Sequence, residues 1–262
     1  MKLLITGASS SVGLEIYKKL QTLGHEAYSV DIGQTKKWRL GDLLPPSDAD
    51  VLIHLAHDRD LSIKQNIVAA NRICESFKGR IIFLSSLSAH SQSRSKYGRS
   101  KFNIEKIFLR ESGIILRAGI IFGKDINGIY LKLVNILKKF RIIPIPYRGN
   151  SILFVTDIDD LVNEIIFVIN SKVASPIFAA HYFPISLYEL LEQISKKENL
   201  LNRFVLIPSQ PFDIILRVMS KLFTKFHILD SVLSVSKSVS YTELSKLVPP
   251  HTKFKKFSGN RI

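Results

Sequence analysis

Sulfur is scarce in this sequence, and acid is well outnumbered by base. Cys74 is its one cysteine, so no disulfide can close within the chain and no zinc site can be built from thiolates. His54 and His57 bracket one apolar run, but no further ligands converge on them in sequence, so local hydrogen bonding is the better account of both and no metal is expected. No stretch of 18 or more uncharged apolar residues is present, which excludes a predicted transmembrane helix. The apolar start Met1–Ile5 breaks at Thr6-Gly7, too early for a signal-peptide core, and reads as a first strand. A cytoplasmic protein is expected. Asp and Glu number 22 against 37 Lys and Arg, a formal net charge of +15. The excess is steep from Lys196 to Ile262, with twelve basic residues against four acidic. Such a bias suits an anionic partner, whether a nucleotide, a phosphate-rich membrane surface or nucleic acid, and equally a solvated basic surface. Nucleic acid is the weakest of these, because the basic residues are not interleaved with aromatics in any recognised motif.

What the chain does have is hydrophobic residues, 46% of the total, enough for a large core. They fall into an alternating pattern. Strands are predicted at Leu3–Thr6, Glu26–Asp31, Val51–Ala56, Arg80–Ser85 and Gly113–Leu116. Helices are predicted at Val12–Leu23 (closed by Gly24), Ser62–Ser76 and Ser95–Glu111. Apolar strands alternating with amphipathic helices specify an α/β fold, a doubly wound parallel sheet of Rossmann type. The second half is less regular. Helices are expected at Gly128–Phe140, Asp157–Asn170 and Ser186–Glu198, the last with Ser186 and Glu189 as a capping box. Short strands are expected at Ile142–Pro146 and Ile152–Val155. The division that follows is a dinucleotide-binding domain over 1–170 and a small α/β cap over 171–262, with some cap elements from 124–156.

Two segments carry chemistry. Thr6-Gly7-Ala8-Ser9-Ser10-Ser11-Val12-Gly13 joins the first strand to the first helix, where a dinucleotide pyrophosphate meets glycine backbone and a helix N-terminus. Asp31 ends the second strand, 18 residues after Gly13, and a carboxylate there can accept both ribose hydroxyls of an adenosine. That favours NAD over NADP, while Lys36 and Lys37 nearby keep NADP open. Ser10 stands where a third glycine is usual and forbids backbone angles that glycine allows. The second segment is Tyr97-Gly98-Arg99-Ser100-Lys101. Spacing of i and i+4 places Tyr97 and Lys101 on one helical face, where an ammonium lowers a phenol's pKa and fits it for proton transfer at a carbonyl or hydroxyl. Ser85-Ser86, ending the fourth strand, can orient the substrate oxygen. Each signal alone is common on helix surfaces and in turns; their order along the chain is what points to catalysis.

In that order the chain resembles the extended short-chain dehydrogenase/reductase superfamily, in particular the NAD-dependent epimerase/dehydratase family of nucleotide sugars. The matching pieces are Thr6–Gly13, Asp31, Asp42-Leu43, His54-Leu55-Ala56, Asn66, Ser85-Ser86, Tyr97–Lys101, Leu116-Arg117-Ala118 through Phe122-Gly123, and Phe154–Leu161. The resemblance implies that Ser86, Tyr97 and Lys101 form the catalytic triad and that Lys101 also holds the nicotinamide ribose. It implies adenine contacts from Asp42 and Leu43, a cofactor channel lined by Leu55 and Ala56, and a homodimer. Ala118 and Thr156 depart from the family's usual proline and histidine. Tyr97 follows Ser86 by only eleven positions, a trimmed pocket that fits a simple 4-keto reductase at least as well as a 4-epimerase.

Smaller signals stay open. Arg148 in Arg148-Gly149-Asn150 can fork a substrate diphosphate, and a surface arginine is an equal reading. Trp38 reads as a hydrophobic anchor for its basic loop. In 211–229 a narrow polar and basic stripe underlies a broad apolar face, which suits peripheral membrane contact or, more commonly, packing in a core or dimer. Other readings of the whole chain are a non-catalytic dinucleotide sensor or scaffold on the same fold, and a dehydrogenase of a lipid- or steroid-like alcohol.

Overall fold

A computed structural model of the chain describes residues 1–31, 38–93, 95–123, 129–145, 152–171, 176–180 and 184–208. Its centre is a six-stranded, all-parallel sheet in the order β2-β1-β3-β4-β5-β10. The strands are β1 (Lys2–Thr6), β2 (Glu26–Ser29), β3 (Val51–His54), β4 (Arg80–Ser86), β5 (Ile114–Ala118) and β10 (Ile177–Ala180). β3 and β5 are buried at every residue, as strands covered on both faces must be. Helices α1 (Ser11–Thr22) and α5 (Ile158–Asn170) cover one face, and α2 (Ile63–Ser76) and α3 (Lys96–Arg110) the other. Ile5, Ile16, Ile53, Leu161 and Ile165 fill the first interface; Leu52, Ile73, Phe83, Phe108 and Ile115 fill the second. Each such side chain contributes about 1.5–3 kcal/mol by leaving water.

Local chemistry marks the helix starts. Ser10, Ser62, Ser95, Asp157 and Ser186 are N-caps, each accepting a backbone N–H from the first turn. Ser186 and Glu189 form the expected capping box, and Ser62 with Gln65 forms a second. At the end of α1, the N–H groups of Leu23 and Gly24 satisfy Lys19 O and Gln21 O.

A smaller cluster sits beside the sheet. Its elements are β6 (Ile120–Phe122), α4 (Ile129–Lys139), β7 (Ile142–Ile145), β8 (Ile152–Leu153), β9 (Val155–Asp157), β11 (Ile185–Ser186), α6 (Leu187–Lys197) and β12 (Arg203–Leu206). Phe122, Leu137, Ile145, Leu153, Leu190 and Ile194 pack together there. The expected single strand over Ile152–Val155 is two: β8 pairs β11 and β9 pairs β6. β10 was not expected, and it lies in the large sheet although it follows residue 170. No helix among the described residues is long and apolar enough to cross a membrane. Lys36, Lys37, Arg148 and the stretch 211–229 lie outside the described residues.

Candidate active site

The chain runs from β1 to β2 on one side and returns to β3 on the other, so the carboxyl ends of β1 and β3 form the sheet's switch point, where open α/β sheets bind ligands. There Leu55 N–H donates to Thr6 O at 3.0 Å, and the turn after β1 lies against Ala56. Gly7 has φ +81°, and a Cβ on it would stand 2.6 Å from Ala56 N. A Cβ on Gly13 would stand 2.0 Å from Gly7 O. Both glycines are therefore required by contact. Ser10 is under no such demand. Its φ of −77° is ordinary, so the angles forbidden to serine are not needed here. Its Oγ accepts from Gly13 N–H at 3.0 Å and donates to Gly7 O at 2.8 Å. The departure from the triple-glycine pattern is a helix cap.

Asp31 fastens the end of the second strand to this turn. Its Oδ1 accepts from Gly7 N–H at 3.1 Å and Ser29 Oγ at 3.3 Å; its Oδ2 accepts from Ser9 N–H at 2.9 Å and Ser9 Oγ at 3.0 Å. Thr6 faces the core: fully buried, its Oγ1 lies 2.6 Å from His54 Nδ1. His54 is wedged between the rings of Phe83 and Phe108, and burial, with Lys101 adding to it, pushes its pKa down to about 3. It is a neutral core histidine, as local hydrogen bonding predicted.

Beside the turn lies a cavity of about 200 Å³ lined by Ser10, Val12, Leu55, Ser86, Tyr97 and Lys101, among others. The two serines of β4 part company here. Ser85 Oγ donates to Glu105 Oε1 at 2.5 Å, and that carboxylate also accepts from Arg117 Nε at 2.9 Å and Nη2 at 2.6 Å. Ser86 is half-buried at the cavity; its Oγ is 3.0 Å from Ser88 Oγ and accepts Ser88 N–H at 3.2 Å. Ser86 is thus the serine whose hydroxyl stays outside the buried ion pair.

Lys101 is 3% exposed. Its Nζ donates to Leu84 O at 2.8 Å, 4.4 Å above the Phe83 ring and 5.9 Å from the centre of the Tyr97 ring. Burial pushes the ammonium down to about 7, opposed by the Glu105 carboxylate and assisted by Arg59. Tyr97 is clamped by two groups that no spacing in the sequence ties to it. His57 meets its ring edge-on at 5.0 Å, and the Arg59 guanidinium stands 4.4 Å over it. Burial pushes His57 down to about 2, so it is neutral, with Nε2 3.2 Å from Ser100 Oγ. Glu105 was also missed, although it follows Lys101 by four residues and so shares a face with Tyr97 and Lys101. Arg117, a charge inside an apolar strand, was the matching clue. Arg59 had no sequence signal.

Other expected residues lie elsewhere. Asp42 and Leu43 do not line this cavity; they border a separate hollow with Trp38 and Arg72. Asp42 Oδ2 accepts from Arg39 N–H at 3.1 Å, and Leu43 is 57% exposed. Trp38 packs on the cluster of Leu52 and Ile73, the hydrophobic anchor expected of it. Thr156 plays a structural part. It accepts from Gly119 N–H at 2.8 Å and donates to Ala180 O, joining β9 to the ends of β5 and β10.

No family model and no curated protein matches the sequence. Solved structures do match its fold. A UDP-glucose 4-epimerase from Thermotoga maritima, solved with UDP-glucose, superposes with a TM-score of 0.66 at 16% identity over 96% of this chain and 94% of that one. An NAD-dependent NDP-hexosamine 5,6-dehydratase of tunicamycin biosynthesis gives 0.69 at 12% over 99% and 94%. A dTDP-4-dehydrorhamnose reductase from Clostridium acetobutylicum gives 0.65 at 17% over 81% and 85%. The fold is that of nucleotide-sugar epimerases, dehydratases and reductases. At these identities the likeness speaks for the fold, and the site must be argued from its own residues. Within this fold the cavity lies at the carboxyl ends of β1, β3 and β4, beside the opening turn of α1.

Proposed function

We propose that the chain is a nicotinamide-dinucleotide-dependent enzyme acting on the hexose of a nucleotide-activated sugar, by 4-keto reduction or 4-epimerisation. The observation that carries this is the cavity itself: Ser86, Tyr97 and Lys101 converge on the N-terminus of α1, and with Ser10 they come from three separate elements.

The residues present fit such a cofactor. The α1 N-terminus suits a pyrophosphate, and Gly7 and Gly13 let the turn pack closely enough on Ala56 and on itself to present it. Around Asp31, the two backbone donors hold the carboxylate in place, while the hydroxyls of Ser9 and Ser29 can rotate away and yield to ribose hydroxyls. A 2′-phosphate would meet that carboxylate, so NAD is favoured. The cavity is below the roughly 300–1,000 Å³ of whole-ligand pockets and suits one ring of the cofactor. When bound, the nicotinamide supplies or withdraws hydride. The chain's part is the proton. In reduction, Tyr97 Oη gives its proton to the carbonyl oxygen as the carbon gains hydride; in oxidation it takes the hydroxyl proton. Arg59 and, while it holds its proton, Lys101 place positive charge beside the ring. Ser86 Oγ orients the same oxygen. Neutral His57 packs on the ring without competing for the proton.

Calorimetric titration with NADH and NADPH tests the cofactor half. The native chain binds NADH more tightly, and Asp31→Ala loses that preference. Equal or stronger NADPH binding by the native chain would contradict the role given to Asp31.

A further inference from the structure

One end of the small cluster combines exposed apolar side chains with a group of cations. The carboxyl ends of α4 and α6 lie side by side, joined by Lys138–Glu198 at 2.6 Å. Asn202 reinforces the joint, its amide donating to Leu137 O and Phe140 O at 2.8 Å each. β7 and β12 start from the same end, with Ile142 paired to Arg203. Six cations gather there: Lys138, Lys139, Arg141, Lys196, Lys197 and Arg203. Lys138 and Lys196 have carboxylate partners in Glu198 and Glu192; the other four have none among the described residues. Between them three apolar side chains stand in solvent: Phe140 at 50% exposure, Ile142 at 61% and Leu201 at 84%. Helix dipoles explain lysines at helix ends. They do not explain Arg141 and Arg203, which lie beyond the helices, or an unburied leucine at the tip.

Apolar tips ringed by cations without carboxylate partners match the two layers of a bilayer surface, acyl chains beneath anionic head groups. A nucleic acid would match the charge but gain nothing from Leu201 and Ile142. We propose that this end of the small cluster docks on an anionic lipid bilayer. Leu201, Phe140 and Ile142 enter between the head groups, and Lys139, Arg141, Lys197 and Arg203 lie at the level of the phosphates. This is independent of the reaction proposed above.

Co-sedimentation of the full chain with phosphatidylcholine vesicles, with and without about one-third phosphatidylglycerol, tests it. Binding is expected to the anionic vesicles only, and to be released by high salt. Each cation removed weakens binding about fivefold, so Arg141→Glu with Arg203→Glu weakens it at least 25-fold by that same rule. Leu201→Ser weakens it about tenfold with no change in melting temperature, since Leu201 supports no core. Absence of binding by the native chain, or variants that bind as well as the native chain, would overturn the proposal. So would loss of binding to a mixed-sequence RNA in the arginine variant while Leu201→Ser leaves vesicle binding intact, because the surface would then be a nucleic-acid site.

Discussion

Replacing Glu105 by leucine removes the α3 carboxylate that joins Ser85 and Arg117 beneath the site. Glu105 is 1% exposed and Arg117 8%. Two of the guanidinium's hydrogen bonds end on this carboxylate, as does the Ser85 hydroxyl. The leucine variant leaves a buried guanidinium without its counter-ion, which costs about 3–5 kcal/mol. For a chain of this size that is on the order of 10 °C in melting temperature. The carboxylate also opposes the depression of Lys101 by burial, so its loss sends the Lys101 ammonium further below about 7. The double variant Glu105→Leu, Arg117→Met removes both charges together and recovers most of the stability, because no charge is then stranded. Urea denaturation of the two single variants and the double variant measures this. A single-variant cost under about 1 kcal/mol, or a double variant at the sum of the singles, would refute the reading of a coupled buried pair.

Three further outcomes follow from the site. Lys101→Met abolishes turnover yet stabilises the chain at pH 6 by about 1–3 kcal/mol. The folded lysine releases its proton near 7 and the unfolded one near 10.5, so native stability rises between those values and the variant's advantage shrinks there; melting curves from pH 6 to 9 test the sign. His54 and His57 are held neutral to about 3 and 2, while the unfolded chain protonates them near 6.5. Stability therefore falls as pH drops below 6.5, each contributing a slope of about 1.4 kcal/mol per pH unit, and His57→Phe should lower the measured slope by one proton. Ser10→Ala costs about 1 kcal/mol by loss of the cap and Ser10→Gly only a few tenths; equal losses in urea would contradict the capping role.

The sheet was legible because its strands are near-continuous apolar runs separated by helical periodicity, a pattern that burial on both faces imposes. The caps Ser95, Asp157 and Ser186 lay at the expected helix edges for the same local reason. β10 was not legible. Its four residues Ile-Phe-Ala-Ala carry no period, and only long-range pairing with β5 makes them a strand. The short pairs β6–β9 and β8–β11 are tertiary in the same way. In the site, Tyr97 and Lys101 were visible through helical spacing. The choice of Ser86 over Ser85 came from resemblance alone, and the structure supplies a physical reason in the bond from Ser85 to Glu105. Arg59 reaches Tyr97 from a loop, and no spacing rule connects positions so far apart in sequence. Thr6 shows the converse limit: it opens the phosphate-binding segment, yet its hydroxyl is spent beneath the turn on His54.

The proposed role of Tyr97 is to handle the proton at a sugar carbonyl. Oxidation of NADH and NADPH with a panel of nucleotide-linked 4-keto sugars, comparing the native chain with Tyr97→Phe, tests it most directly. The expected result is NADH-dependent turnover by the native chain, abolished in the variant while NADH still binds. Turnover that survives in Tyr97→Phe, or none by the native chain on any 4-keto sugar despite tight cofactor binding, would contradict it.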